Sequence, residues 1–276
     1  MLRASTAQTS LFDEPRPFLK WVGGKRQLLP VLLPHVPRRF DTYHEPFVGG
    51  GALFFALRPT RAVLSDNNAL LVRTWRGVRD HVEDVIRLLK SYPHDKQFFL
   101  EMRERDIDAA SDVEVAAWFI YLNKTAFNGL YRVNSKNKYN VPFGRYVNPA
   151  ICDAPNLRAC SRALLGVSIE HEDFEAVLGR AKPGDFVYFD PPYVPLSATS
   201  DFTSYTAEGF SADDQKRLRD VARELKASGV HVLLSNSSAG FVRDLYEGFQ
   251  MEEVLATRHV NCQSDGRGPV VELVIW

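Results

Sequence analysis

A short apolar run that ends abruptly in two prolines is the feature that most limits how this chain can fold. Phe186-Val187-Tyr188-Phe189 is continuously apolar, which favours a buried strand, and Asp190-Pro191-Pro192-Tyr193 follows it directly. Proline has no N–H to donate to a neighbouring strand, so the strand ends at the aspartate. The pattern therefore predicts a carboxylate and two rigid carbonyl acceptors at the end of a buried strand.

Short strand patterns alternate with helical patterns along much of the chain. Strands are predicted at 43–48, 62–66, 167–174, 185–189, 230–237, 250–256 and 269–276, the last two as a closing antiparallel pair. Ser211 and Asp214 occupy capping-box positions ahead of an amphipathic helix that Gly229 ends. This alternation predicts an α/β fold with a mostly parallel sheet.

A helical and then basic stretch interrupts the alternation between the second and third strands. We interpret residues 68–149 as an inserted, mainly helical domain that carries a basic β-hairpin or loop. The remaining domain is then discontinuous and comprises 18–67 and 150–276, while the polar residues 1–17 are predicted to form a mobile tail.

Composition restricts the class of protein. Lys plus Arg and Asp plus Glu are each 34 among 276 residues, so the overall charge does not indicate a polyanionic partner. The three cysteines have no paired spacing, which predicts no disulfide framework or zinc site and fits a reducing cytoplasm. The histidines lack ligand spacing, and we predict no metal. No signal peptide and no membrane span of about 20 apolar residues is predicted.

A glycine-rich turn and a downstream aspartate indicate a nucleoside ligand. Gly49, Gly50 and Gly51 follow the first strand, where glycine lets the backbone approach a ligand closely. Asp66 ends the next strand, and an acidic side chain there can accept both ribose hydroxyls of an adenosine. Phe54 stands where a dinucleotide-binding fingerprint needs its third glycine. The alternative interpretation is a tight structural turn.

The Asp-Pro-Pro-Tyr segment has the chemistry to hold an amino group. The Asp190 carboxylate and the Pro191 carbonyl can accept both N–H hydrogens of an exocyclic amine, and Tyr193 offers a ring on which a base can stack. Holding the N–H bonds in this way directs the nitrogen lone pair away from the ring and makes it more nucleophilic. The alternative is a proline-terminated strand with an incidental aspartate.

Two further segments contain residues that could contact a ligand, but each can also be explained by an ordinary structural role. Trp21 and Lys25 flank a glycine pair, so the ring could pack against a cation and the ammonium could pair with a carboxylate. The segment lacks the spacing of a Walker phosphate-binding loop, and a simple helix start explains it equally well. Asp173 and Phe174 could contact an adenine ring, or could be a helix cap and a core residue.

Residues 121–146 have the composition of a nucleic-acid contact. The segment contains five cations, five asparagines and six aromatic residues, but no acid. Cations suit phosphates, amides suit base edges and aromatic rings suit unstacked bases. A solvated basic loop is the alternative. The cations are Lys124, Arg132, Lys136, Lys138 and Arg145.

Taken together, these segments closely resemble the Dam-type family of S-adenosylmethionine-dependent DNA adenine-N6 methyltransferases. The resemblance extends over residues 18–276, and its most specific part is Asn-Gly-Leu-Tyr-Arg followed by Asn-Val-Pro-Phe-Gly. The matching runs lie at 20–25, 45–51, 65–68, 128–134, 140–146 and 190–193. One departure is Lys136-Asn137-Lys138, where the family often has a glycine, so the hairpin tip is expected to differ.

The resemblance implies a Rossmann-like methyltransferase fold and roles for individual residues. The inserted domain would recognise a double-stranded DNA target, and Asp190, Pro191, Pro192 and Tyr193 would receive a flipped adenine. The implied S-adenosylmethionine site comprises Trp21, Lys25, Phe47, Gly49, Gly51, Asp66, Asp173, Phe174 and Asp190. The implied DNA contacts are Lys20, Asn128, Arg132, Asn134, Lys136, Lys138 and Arg145.

Several alternatives stay open at the level of sequence. Cytosine-N4 methylation would use the same pair of acceptors, and a protein glutamine-amide methyltransferase would share the Asp-Pro-Pro-Tyr segment but not the basic hairpin. A simple DNA-binding module would need neither that segment nor the glycine loop. In the Dam branch the target adenine lies in GATC. The resemblance leaves open whether the protein acts alone or beside a cognate restriction endonuclease.

Overall fold

A computed structural model describes residues 14–21, 23–136, 138–194, 210–257 and 269–276 of the chain. Within these residues, strands of one mixed sheet alternate with helices, as the sequence predicts. The strands are β1 Tyr43–Glu45, β2 Ala62–Asp66, β3 Ser168–His171, β4 Phe186–Phe189, β5 His231–Ser237, β6 Met251–Thr257 and β7 Pro269–Ile275.

The sheet has the order β3-β2-β1-β4-β5-β7-β6, and β7 is antiparallel to both of its neighbours. The other pairings are parallel, with His44 of β1 opposite Val63 of β2 and Val187 of β4. The strand order reverses between β1 and β4, and in open α/β sheets ligands bind outside the carboxyl ends of the strands at such a point. This mostly parallel sheet confirms the predicted Rossmann-like methyltransferase fold.

Helices cover both faces of the sheet. They are α1 Leu29–Leu32, α2 Ala52–Leu57, α3 Ala69–Asp80, α4 Val82–Ser91, α5 Lys96–Glu104, α6 Asp112–Thr125, α7 Ala154–Ala163, α8 Ala212–Ala227 and α9 Gly240–Leu245. The predicted capping box of α8 is confirmed, because Ser211 accepts from the Asp214 N–H and Asp214 accepts from the Ser211 N–H. None of the described helices is long and apolar enough to cross a membrane.

Alternating side chains of β4 divide the core between the two faces of the sheet. Phe186 and Tyr188 pack into the larger cluster with β1, β2 and α3, whereas Val187 and Phe189 pack with α8 into the smaller one. All four side chains are buried. Burial on both faces explains why this strand is apolar at every position.

Three predicted boundaries differ from the observed ones. β1 ends at Glu45 because Pro46 follows, and β3 ends at His171, after which Phe174–Gly179 forms a short 3₁₀ helix. Helix α6 continues to Thr125, past the start of the basic segment at residue 121, where the helical stretch is predicted to end. Every residue from Val115 to Asn123 is buried, so this part of α6 has no polar face and its sequence shows no helical period that could mark the end.

The segment 68–149 packs against the sheet rather than standing apart from it. Trp75 of α3 is completely buried, and its ring lies 4.9 Å from that of Phe18 and 5.5 Å from that of Phe55. Residues 1–13 of the predicted tail lie outside the described residues. Farther along, Arg16 is anchored, because its backbone N–H and C=O both bond the side chain of Asn156.

Candidate active site

Asp66 ties the glycine loop to the end of β2. Its carboxylate accepts the Gly49 N–H at 3.2 Å and the Asn68 N–H at 3.0 Å. The Asn68 side chain in turn accepts the Leu71 N–H and caps α3. Burial raises the pKa of Asp66 to about 6, although the backbone N–H groups oppose the shift. The carboxylate therefore lies where the sequence predicts a ribose contact.

Trp21 lies directly on the glycine loop. A β-carbon at Gly49 would come within 2.6 Å of the Trp21 ring nitrogen, so this close approach requires glycine, which also has a φ of +43°. The Trp21 ring also stacks on Phe119 at 6.4 Å and on Tyr131 at 6.1 Å. Gly51 has a different role, because a β-carbon there would collide with the buried ring of Trp75.

Two protein donors converge on one oxygen of Asp190. Lys25 Nζ lies 2.7 Å from Oδ1, and the Ser235 hydroxyl donates to the same oxygen at 2.9 Å. Lys25 is 5% exposed and also donates to the Gly23 carbonyl. Burial raises the pKa of Asp190, while Lys25 and Ser235 act in the opposite direction. Lys25 was predicted to pair with a ligand carboxylate, but in this structure it pairs with Asp190.

Both ends of Tyr193 are held in place. Its hydroxyl donates to Glu272 at 2.9 Å, and Lys25 Nζ lies 4.5 Å from the centre of its ring. Pro191 is buried and Pro192 half-buried, and the Pro192 carbonyl accepts a hydrogen bond from Gln215 at 3.0 Å. Sequence patterns could not identify Gln215, because it is one polar residue in a largely polar helix 23 positions along the chain.

The acidic and aromatic pair after β3 is oriented by contacts within the protein. Asp173 accepts the Glu175 N–H as a helix cap and also bonds Arg217. Phe174 is 4% exposed and stacks on Phe47 at 5.4 Å, with the Arg217 guanidinium 5.0 Å from its ring. The structure therefore places Phe47, Asp173 and Phe174 together at the same edge of the sheet as Asp66.

The basic segment forms a small hairpin. Asn134 N–H bonds the Lys138 carbonyl and Asn140 N–H bonds the Arg132 carbonyl, which brings Val133 opposite Tyr139. The Asn134 side chain accepts the N–H groups of Lys136 and Lys138 and so caps the hairpin tip. Asn134, Lys136, Lys138 and Arg145 are exposed, whereas Asn137 lies outside the described residues.

Arg132 and Lys20 are oriented by specific contacts. Arg132 Nε donates to the Asn140 side chain at 2.8 Å, which fixes the guanidinium plane beside the hairpin. Lys20 is held through its backbone by Asn123, and its Nζ lies 4.1 Å from the centre of the Tyr146 ring. Asn128 is half-buried and has a φ of +54°, a conformation that asparagine tolerates better than most residues.

Several of the aromatic residues and asparagines counted in segment 121–146 are core residues. Tyr121, Tyr131 and Tyr139 are at most 8% exposed. Asn123 is 2% exposed and satisfies its side chain by bonding Lys20 and Gly129. The inventory of aromatic rings and amides therefore overstated the recognition surface, because segment composition cannot distinguish buried side chains from exposed ones. Phe127 is an exception and is 41% exposed.

The site contains no described cluster suited to a metal ion. Among the described residues, no group of three or more histidine, cysteine, aspartate or glutamate side chains is arranged to hold one.

The fold and this site together define the class of protein. A Rossmann-like sheet whose order reverses between a glycine loop and an Asp-Pro-Pro-Tyr segment is the framework of a nucleoside-cofactor-dependent methyltransferase. The sequence profile of the D12 class N6 adenine-specific DNA methyltransferases matches residues 21–260, and the chain belongs to this family. It is therefore a DNA adenine-N6 methyltransferase, and the family implies S-adenosylmethionine as methyl donor.

Curated relatives are similar in sequence to this chain along almost their whole lengths. The type II methyltransferase M1.LlaDCHI of Lactococcus lactis subsp. cremoris is 47% identical over 268 residues, covering 94% of each chain. The type II methyltransferase M.MjaIII of Methanocaldococcus jannaschii is 41% identical and covers 95% of this chain and 99% of its own. A DNA adenine methylase of Vibrio cholerae is 34% identical, covering 94% of this chain and 95% of its own.

Proposed function

We propose that the protein methylates the adenine of GATC in double-stranded DNA after flipping that base out of the helix. The observation that carries this proposal is the geometry of Asp190. Lys25 and Ser235 both bond its Oδ1, so Oδ2 is the oxygen assigned to the substrate amine. The Pro191 carbonyl is the second acceptor, and Tyr193 is the ring on which the flipped adenine stacks. Extruding the base costs a few kcal/mol.

The residues at the sheet edge suit S-adenosylmethionine. Asp66 accepts hydrogen bonds from the ribose hydroxyls. Trp21, Lys25 and Asp190 line the cofactor site with it, Phe47, Gly49 and Gly51 form its floor, and Asp173 and Phe174 lie beside the adenine ring. Burial raises the pKa of Asp66 only to about 6, so its carboxylate is mostly ionised at pH 7 and can accept from these hydroxyls. When bound, the cofactor supplies an activated methyl group on a sulfonium. The chain positions the amine for this transfer, which is the main source of catalysis.

The hairpin at 132–140 and its neighbours are proposed to recognise the target sequence. The Asn140 side chain accepts from Arg132 Nε, and the Asn140 carbonyl accepts from Nη2 at 3.5 Å, so both contacts orient the guanidinium. We assign its terminal nitrogens to guanine O6 and N7. Lys20 contacts a flanking base, and Asn128, Asn134, Lys136, Lys138 and Arg145 contact the DNA around it. The exposed cations at the hairpin tip suit phosphates.

The cellular setting is also part of the proposal. Two relatives are named type II methyltransferases, which supports a cognate restriction endonuclease as a partner for this chain. The proposed compartment is the cytoplasm, because three cysteines without paired spacing suit a reducing environment.

The test is Asp190→Asn, which preserves shape but converts one acceptor into a donor. We expect methyl transfer to fall by at least about two orders of magnitude with little change in melting temperature. Asp213→Asn is the matched control, because Asp213 is exposed and pairs with Lys216 in the first turn of α8.

The same assay identifies the product and the target. Nucleoside analysis should give N6-methyladenine, and duplexes with GATC should react faster than duplexes changed at one of its bases. N4-methylcytosine would contradict the assigned base, and Asp190→Asn activity within tenfold of wild type would remove Asp190 from the chemistry.

A further inference from the structure

We infer that Gln215 is a positioning residue for methyl transfer and that Asn236 orients it. The inference rests on the proposed role of Asp190–Tyr193. Gln215 lies in α8 and Asn236 in β5, and both side chains are buried, at 1% and 0% exposure. Together they form a chain of amides that ends on the carbonyl of Pro192.

The hydrogen bonds of this chain run in one direction. Ser237 N–H donates to Asn236 Oδ1 at 2.8 Å, and Asn236 Nδ2 donates to Gln215 Oε1 at 3.0 Å. Gln215 Nε2 then donates to the Pro192 carbonyl at 3.0 Å. Each amide thus uses one acceptor and one donor within the chain, and burial makes the loss of any one bond costly.

The groups at the two ends of the chain fix its direction, because one can only donate a hydrogen bond and the other can only accept one. A backbone N–H, as at Ser237, can only donate, and the Pro192 carbonyl can only accept. If either amide turned over, two acceptors or two donors would face each other inside the core. The chain therefore holds the Gln215 amide with its N–H groups toward the Asp-Pro-Pro-Tyr segment.

The bond on Pro192 sets the plane of the peptide that leads into Tyr193. Residues 190–194 follow β4 without regular secondary structure, and the two prolines donate no backbone hydrogen bonds, so few other contacts can fix this segment. The Tyr193 hydroxyl is held separately by Glu272. Gln215 thus holds the backbone before Tyr193, and Glu272 holds the Tyr193 hydroxyl. Because Gln215 bonds the Pro192 carbonyl, the Pro191 carbonyl is left for the substrate amine.

The first test is Gln215→Glu, which keeps the shape of the side chain but places a carboxylate oxygen against the Pro192 carbonyl. We expect kcat to fall about 10- to 100-fold, the usual cost of losing a group that orients a reacting residue, with KM for cofactor and DNA within about twofold. Gln215→Met removes the donor without adding repulsion and should lose less activity than Gln215→Glu. Gln97→Glu, at an exposed position on α5, is the matched control.

The second test is Asn236→Asp, which reverses the chain without touching the Pro192 carbonyl. The new carboxylate would accept from Gln215 Nε2 and turn Gln215 Oε1 toward Pro192. We expect a kcat loss similar to that of Gln215→Glu, and Asn236→Asp combined with Gln215→Met should lose far less than the product of the two single losses, because Met at 215 has already broken the chain. If neither Gln215 variant folds, Asn236→Asp alone supplies the measurement.

A spectroscopic readout separates positioning from simple packing. Duplexes with 2-aminopurine in place of the target adenine report unstacking of that base by increased fluorescence. The Gln215 and Asn236 variants should still unstack the base but should alter its fluorescence lifetime in the pocket. If Asp190→Asn abolishes transfer while these variants keep wild-type kcat, the inference about Gln215 is overturned and the proposed site stands. If Asp190→Asn is itself active, the proposed site is wrong.

Discussion

At the residue scale, three acidic side chains at the sheet edge differ in their preferred charge. Burial raises the pKa of Glu45 to about 8, and the hydrogen bond from Tyr43 only partly offsets this, so Glu45 is mostly neutral at pH 7. Burial also raises the pKa of Asp66, but only to about 6. Asp190 has Lys25 beside it. A neutral Glu45 limits repulsion among the three groups.

Cofactor affinity should depend on pH through Asp66. An acid whose pKa is raised to about 6 becomes a full acceptor only above that pH, so S-adenosylmethionine should bind more tightly as pH rises from 5 to 7. Asp66→Asn should weaken binding at pH 7 by roughly 1.5–3 kcal/mol and flatten this pH dependence. Calorimetry at several pH values checks both effects, with exposed Asp213→Asn as control. An unchanged dissociation constant would place the ribose elsewhere.

At the element scale, the sequence predicted those helices and strands whose apolar residues recur regularly and whose ends are marked by a proline, a glycine or a capping residue. The positions of the strands along the chain and the cap of α8 follow from apolar runs, prolines and a capping box. The extent of α6 did not follow, because this helix is buried nearly all round. The buried amide of Gln215 was also missed, since it looks like a surface residue until a distant segment packs against it. The main strand-end side chains were identified because parallel strands bring them to one edge.

The basic hairpin should separate sequence discrimination from general affinity. Arg132→Ala removes the fork that we assign to guanine, so the preference for GATC over single-base variants should shrink by about 1–3 kcal/mol while non-specific binding persists. Lys138→Ala removes an exposed cation at the tip and should weaken binding to all sequences about equally. It should also reduce the slope of log affinity against log salt by roughly one unit.

Methylation rates on GATC and variant duplexes, measured at two salt concentrations, test both substitutions. A uniform slowing by Arg132→Ala on every sequence would assign Arg132 to the DNA backbone instead. A sequence-dependent effect of Lys138→Ala would likewise contradict its assignment to phosphate.

At the scale of the whole molecule, one hydrophobic core joins the proposed recognition segment to the sheet. Leu71 and Trp75 of α3 belong to the same buried cluster as Tyr43 of β1 and Leu64 of β2. Removing either part would expose these side chains to water. The segment 68–149 is therefore proposed as a functional unit whose stability depends on the rest of the chain.

Unfolding should accordingly be a single transition. Trp75 and Trp118 lie within 68–149 and Trp21 and Trp276 outside it, so tryptophan fluorescence samples both parts. Without cofactor or DNA, fluorescence and far-UV circular dichroism should give coincident guanidinium curves. A fragment of residues 68–149 should lack cooperative unfolding. Two separated transitions in the full chain would instead show that the segment is an independent domain.

The position of Trp21 has a thermodynamic consequence. Its ring lies on Gly49 in the loop assigned to the cofactor and also stacks on Phe119 and Tyr131, next to the hairpin assigned to DNA. A cofactor that shifts or immobilises this ring therefore changes the free energy with which DNA binds, and DNA can do the same for the cofactor. Linkage is reciprocal, so whatever factor the cofactor contributes to DNA affinity, DNA contributes equally to cofactor affinity. The order in which the two bind then changes the route to the ternary complex but not its stability.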